Sequence, residues 1–170
     1  MLLTESARLE FARLSLHGLA LGDAFGDSFF GDEDAMRRAI AARTVPVTTR
    51  WEFTDDTVMA IAVVGVLTRY GRIEPDALAR RFADNYRLDP NRGYGATAHR
   101  VLRAIGEGQP WRAVSAGVFD GQGSMGNGAA MRAAPIGAYF HDDADRIIDE
   151  ATLSAEVTHR NLEGVAGAVA

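Results

Sequence analysis

Thr54, Asp55 and Asp56 set a hydroxyl and two carboxylates on consecutive residues. Hard oxygen donors of this kind suit magnesium, manganese or calcium. Phe53 before them and the apolar run after them would bury the back of such a site. The competing reading is a helix cap with a solvated second acid. Upstream, Asp23 sits between Gly22 and Gly26 at the end of an apolar stretch. A carboxylate buried there needs a partner. Asp23 is therefore read as structural, able to bond backbone amides and hold the start of the Thr54 segment.

A second group of residues fits an anion. The segment DGQGSMGNG holds four glycines in nine residues, with Ser124 and Asn127 among them. Glycines let backbone amides approach an anion closely, and a helix starting near Gly128 would add a positive dipole end. A diphosphate suits that arrangement. No Walker lysine follows, so this is not the phosphate loop of an NTPase. A plain glycine-rich turn is the alternative. The loop Asp89-Pro90-Asn91-Arg92-Gly93-Tyr94-Gly95 offers an acid and an aromatic on flexible backbone. Asp89 can be a base or a partner for a sugar hydroxyl, and Tyr94 can pack on a base or ribose. An ordinary turn capped by Asp89 explains the same residues. His159, in EVTHRN, can hydrogen-bond substrate or orient a water, or it can be a packed, satisfied histidine.

The elements that must position these residues are helices joined by glycine-rich loops. Leu9, Ala12, Leu16, Leu19 and Ala20 follow helical spacing, and that helix is expected to run out near Gly22 and Gly26. The stretch from Asp27 to Trp51 reads as irregular. A helix capped by Thr54 or Asp55 continues into VMAIAVVGVL, apolar nearly all round and therefore central and buried. Pro75 opens the next helix, with Leu78, Phe82 and Tyr86 on one face. Ala98, Val101, Leu102 and Ile105 mark another, and Trp111, Val114 and Val118 a short one. AAMRAAPIGAYF is expected to continue as a helix bent or interrupted by Pro135. Ile147, Ile148, Ala151 and Ala155 mark a helix within 142–158, and EGVAGAVA a last one, with no stop signal before the chain ends.

Composition narrows the function classes. With 170 residues, a charged fraction of 24% and no repeat or linker, one globular domain is the economical reading. A net charge of -5 argues against a dedicated nucleic-acid binder. The absence of cysteine excludes a disulfide scaffold and a zinc–thiolate centre. The first residues carry Glu5 and Glu10 and show no signal peptide, and the apolar run from Val58 to Leu67 is too short to span a bilayer. No membrane association is expected, and cytoplasmic residence is.

Taken in order, GLALGDAFG, FTDDTVMA, DPNRGYG, GQGSMGNGAAMR with AAPIGAYF, and SAEVTH with EGVAGAVA closely resemble the ADP-ribosylglycohydrolase family from about Leu14 to Ala170. The resemblance implies an all-α, compact multi-helix fold, with residues 1–170 the N-terminal portion of a single domain. It implies a metal-dependent hydrolase that cleaves the glycosidic bond between ADP-ribose and a protein side chain or small acceptor. It implies a site for Mg2+ or Mn2+, two ions when complete, with Thr54, Asp55 and Asp56 as ligands. Ser124, Met125, Gly126, Asn127 and Gly128 would hold the diphosphate, Met131 would line the pocket, and Gly93, Tyr94 and His159 would face substrate. Asp89 is the candidate acid/base helper, beside Asp55 and Asp56. Two features depart from the family. A glutamate that many members carry shortly after the first glycine motif is replaced here by Phe29 and Phe30, with Asp27 earlier. The family's second metal motif, Asp-x-Asp-Thr, is absent, and Asp142, Asp143 and Asp145 do not supply it. These departures leave open a non-catalytic module that binds ADP-ribose or metal, or a self-assembling helical protein.

Overall fold

A computed structural model describes residues 3–46 and 50–170. Its α-helices are α1 (Glu5–Asp27), α2 (Glu33–Ala42), α3 (Asp55–Tyr70), α4 (Pro75–Leu88), α5 (Ala96–Gly106), α6 (Trp111–Ala116), α7 (Ala134–Tyr139), α8 (Ala144–Glu156) and α9 (Leu162–Val169), with a 3-10 turn at Ala130–Arg132. There is no strand among the described residues, as the resemblance implies.

Helix α3 is the axis. Its sequence is apolar on nearly every side, so it is stable only when most of its surface is covered. It buries Met59, Ala60, Ala62, Val63, Val64, Val66 and Leu67 against α1, α4, α7 and the 3-10 turn. Phe82 and Leu78 of α4, Leu102 of α5 and Ile136 and Phe140 around α7 close the same core. A fully buried side chain of this size contributes about 1.5–3 kcal/mol through loss of water contact. Gly71 ends α3 in the left-handed conformation, at φ 64°, and Pro75 opens α4 where its missing N–H costs nothing.

The helices differ from expectation in several places. Helix α1 passes through Gly18, Gly22 and Gly26 to Asp27. Each glycine costs about 1 kcal/mol in a helix interior, but packing of α1 along α3 and α7 outweighs it. The stretch read as irregular contains α2, started by Asp32, whose side chain accepts from the Ala35 amide at 2.6 Å. Residues 47–49 of that stretch lie outside the described residues. The helix after Gly128 is interrupted near Pro135, in line with expectation. A turn and the three-residue 3-10 segment come first, and α7 restarts with Pro135 in its opening turn. Val118 lies beyond the end of α6. No helix among the described residues is long and apolar enough to cross a membrane.

Candidate functional site

The start of α3 is fixed by Asp23. This half-buried carboxylate accepts from the Thr54 amide at 2.8 Å, the Thr54 hydroxyl at 2.7 Å, the Thr57 amide at 3.2 Å and the Thr57 hydroxyl at 2.6 Å. It satisfies free amides at the helix N-terminus from a different helix, and so docks α1 to α3. The 89–95 loop docks on the same point. The Asp55 amide donates to the Arg92 carbonyl at 2.6 Å. Arg92 in turn donates to Asp89 at 2.7 Å and to the Phe53 carbonyl at 3.2 Å, with its guanidinium over the Phe53 ring at 4.8 Å.

This packing crowds three carboxylates. Burial, then Asp56 and Asp23, push the Asp55 carboxyl up to about 6. Burial and then Asp23 raise Asp56. The site thus carries an excess of negative charge held partly out of water, the electrostatic condition that a divalent cation relieves. Thr54, Asp55 and Asp56 offer oxygen donors from one rigid helix start. Among the described residues no group of three or more His, Asp and Glu side chains converges as a complete metal cage. The donor set fits a hard cation that keeps several waters, as magnesium does.

Two cavities meet here. One, of about 760 Å³, is lined by Asp23, Asp27, Phe30, Thr54, Asp55 and Asp56. The other, of about 420 Å³, is lined by the Ser124–Gly128 loop, Met59, Ala96, Thr97, Val101, Phe119, Thr158 and His159. Asp55, Gly95, Asn127 and Met131 border both, so the two form one bent cleft with an acidic limb and a mostly apolar limb. In the second limb the loop and His159 are packed face to face. A Cβ on Gly128 would stand 2.7 Å from His159 Cε1, and one on Gly164 of α9 would stand 2.5 Å from the Ser124 carbonyl oxygen. Only glycine permits that approach. The His159 ring pairs with the Thr158 hydroxyl at 2.7 Å, and burial, then the charge of Arg132, push it down to about 4. His159 is therefore a neutral imidazole at physiological pH. The Gly126 amide donates to Ser124 Oγ at 3.3 Å, while the amides of Asn127 and Gly128 take no acceptor among the described residues. At the far end, Phe119 is half exposed and holds a left-handed backbone at φ 52°.

A family profile for ADP-ribosylglycohydrolase matches residues 4–170, nearly the whole chain. The chain belongs to the ADP-ribosylglycohydrolase family. It is similar to ADP-ribosylhydrolase ARH3 of Homo sapiens, with 36% identity over 91% of this chain and 46% of the relative. The ARH3 of Xenopus tropicalis is 34% identical over 92% of this chain and 47% of that protein. The uncharacterized protein YegU of Escherichia coli K12 is 34% identical over 91% of this chain and 50% of its own length. A solved structure described as an ADP-ribosylglycohydrolase-related protein complex superposes with a TM-score of 0.61 at 25% identity, over 96% of this chain and 54% of that one. The chain spans about half the length of the curated relatives it matches.

Within this member of the family, most of the expected residues gather on the bent cleft. Thr54, Asp55, Asp56, Gly93, Ser124, Met125, Gly126, Asn127, Gly128, Met131 and His159 all border it. Asp89 and Tyr94 do not. Asp89 is engaged with Arg92 and the Asn91 amide, as a loop organiser. The Tyr94 ring is buried, edge-on to Tyr86 at 5.2 Å, and offers no face to a base or ribose. Its hydroxyl has no hydrogen-bond partner among the described residues, and burial followed by the charge of Asp55 raises its pKa. The Ser124–Gly128 segment also differs from the expected helix N-terminus. A turn supplies its amides, with a 3-10 segment too short for an appreciable dipole behind it. Phe119 and Arg132 escaped the sequence reading. Phe119 follows a short helix and resembles any core residue in sequence. Arg132 resembles a surface charge.

Proposed function

We propose that this chain carries the ADP-ribose and divalent-cation site of a glycohydrolase that releases ADP-ribose from a protein side chain or small acceptor. The observation that carries the proposal is the bent cleft, acidic on one limb and lined by free amides and an aromatic on the other, turning at Asp55 and Asn127. The amides of Asn127 and Gly128 suit a diphosphate, and the exposed face of Phe119 suits a purine. With the nucleotide so held, the distal ribose falls in the acidic limb.

Thr54, Asp55 and Asp56 would hold Mg2+ or Mn2+. A divalent cation there supplies charge stabilisation for ribose hydroxyls and lowers the pKa of a bound water. The chain's own residues do the rest. Asp23 fixes the ligand-bearing helix start. The amide loop grips the diphosphate and so aligns the anomeric carbon. His159, neutral and fixed by Thr158, gives the loop a polar wall with no competing charge. Glycoside cleavage with oxocarbenium character also needs a carboxyl group for proton transfer at the leaving group or the attacking water. Asp23 is committed to four hydrogen bonds, Asp55 and Asp56 to the cation, and Asp89 to Arg92. Asp27 lines the acidic limb, is exposed, and has no side-chain partner among the described residues. It is the carboxylate best placed for that proton transfer.

The test is thermal melting with and without Mg2+ and ADP-ribose, beside Asp55→Ala. A ligand bound by the native state alone raises the melting temperature by mass action. A rise that depends on both ligands and vanishes in Asp55→Ala is expected. A cooperative transition that neither ligand moves overturns the proposal.

A further inference from the structure

Arg132 is the largest fully buried side chain, with no exposed surface, yet it pairs with no carboxylate among the described residues. Its guanidinium donates to the Gly128 carbonyl at 2.9 Å, the Ser154 carbonyl at 2.6 Å and Ser154 Oγ at 3.4 Å, and lies 3.9 Å from the Met59 sulfur. It stacks on the Phe82 ring at 4.5 Å. Every one of these partners is neutral. By contrast, Arg8, Arg92 and Arg146 each meet an acid.

A buried cation without a counter-ion is costly, and proteins ordinarily pair it or replace it with an apolar residue of similar volume. Burial pulls its pKa down to about 9, which leaves it charged at neutral pH. The site of the charge gives it a use. Arg132 lies four residues beyond Gly128 and holds that residue's carbonyl oxygen toward itself. A carbonyl turned into the cleft would repel a phosphate. A positive charge behind the loop attracts one with little solvent screening.

We propose that Arg132 is the buried counter-charge for a diphosphate bound at the Ser124–Gly128 loop, a positioning residue that never touches the ligand. The proposal rests on the assignment of that loop as the diphosphate cradle. The bond to Ser154 ties the same guanidinium to α8, which leads into Thr158 and His159. One side chain thus sets both the field at the loop and the register of the loop against His159.

The test compares the affinities of ADP-ribose and adenosine, by calorimetry, in the wild-type chain and in Arg132→Met. Arg132→Gln, which keeps amide donors for the two carbonyls, replaces Arg132→Met if the latter fails to fold. The wild type is expected to prefer ADP-ribose by tenfold or more. Loss of the charge is expected to shrink that preference at least tenfold, with adenosine affinity changed less than about twofold. A merely structural arginine would lower both affinities together, and that result overturns the proposal. An undiminished preference in the variant overturns it as well, leaving the cradle intact. No preference in the wild type removes the cradle assignment, and this inference with it.

Discussion

At the scale of single residues, burial sets the titration of the site, and it acts in opposite directions on its two ends. Asp55 has a raised pKa, so its share of stability is full below the ordinary aspartate value of 3.8 and is lost as pH rises through about 6. His159 has a lowered pKa, so its share is present above its ordinary 6.5 and is lost as pH falls toward about 4. Between pH 4 and 6 the two oppose each other. Without divalent cation, Asp55→Asn is expected to melt higher than wild type at pH 7 and to lose stability more steeply on acidification. His159→Gln is expected to flatten the acid limb between pH 6.5 and 4. Melting curves at half-unit pH steps check both, and parallel curves for the variants and wild type would contradict the electrostatic account. Asp27 is a separate matter, because its carboxylate has no partner among the described residues. Asp27→Asn should keep the ligand-induced rise in melting temperature and lose turnover of an ADP-ribosyl conjugate by about 10²-fold or more. Undiminished turnover would return the acid/base role to another carboxylate.

At the scale of elements, the cleft is a product of close approach between segments distant in the chain. The Ser124–Gly128 loop lies on His159 and on α9 with no room for a Cβ at Gly128 or Gly164. Gly123, at φ 74°, meets the backbone of Arg160 and Asn161, where a Cβ would come within 2.5 Å. Gly128→Ala therefore forces the imidazole to shift. An overpacking cost of about 1–3 kcal/mol is expected in denaturant unfolding. ADP-ribose affinity should fall while the effect of Mg2+ on the melting temperature persists, because α3 is untouched. Loss of the Mg2+ effect in this variant would mean that the two limbs share one scaffold. Glycine spacing was visible in the sequence, but its reason was not. The motif reads as freedom to bind an anion, whereas two of its glycines, Gly123 and Gly128, are required by neighbours from the 159–161 segment.

At the scale of the whole molecule, the two limbs share Asp55, Gly95, Asn127 and Met131, so a cation and a nucleotide bound at once lie side by side. The cation offsets the acidic limb, and the diphosphate adds negative charge next to it. Binding of each should favour the other by the same factor, since coupling between two binding equilibria is reciprocal. A coupling of about 5- to 150-fold is expected, read as ADP-ribose affinity with and without Mg2+ and as Mg2+ affinity with and without ADP-ribose. Independent binding would show that the cleft is two sites. The architecture supports one. Asp23 of α1 holds Thr54, and Arg92 of the 89–95 loop holds Phe53 and Asp55, so three segments join at the start of α3.

The sequence by itself determined the helical class, the buried axis at α3, the capping chemistry at Thr54 and eleven of the residues that border the cleft. These are local properties, set by hydrophobic period, by hydroxyl and carboxylate caps, and by glycine clusters. It anticipated the interruption at Pro135, whose ring and missing N–H break an interior turn, but not that the first turn would be 3-10. It overlooked α2, a ten-residue helix with no buried residue that lies inside a stretch otherwise read as irregular. Only the tertiary structure decided that Tyr94 belongs to the core, that Asp89 belongs to Arg92, that Phe119 faces the cleft, and that Arg132 stands buried behind the loop without an acid. Each of those outcomes depends on which residue from another segment arrives as neighbour, and burial and charge pairing follow from that neighbour rather than from local spacing.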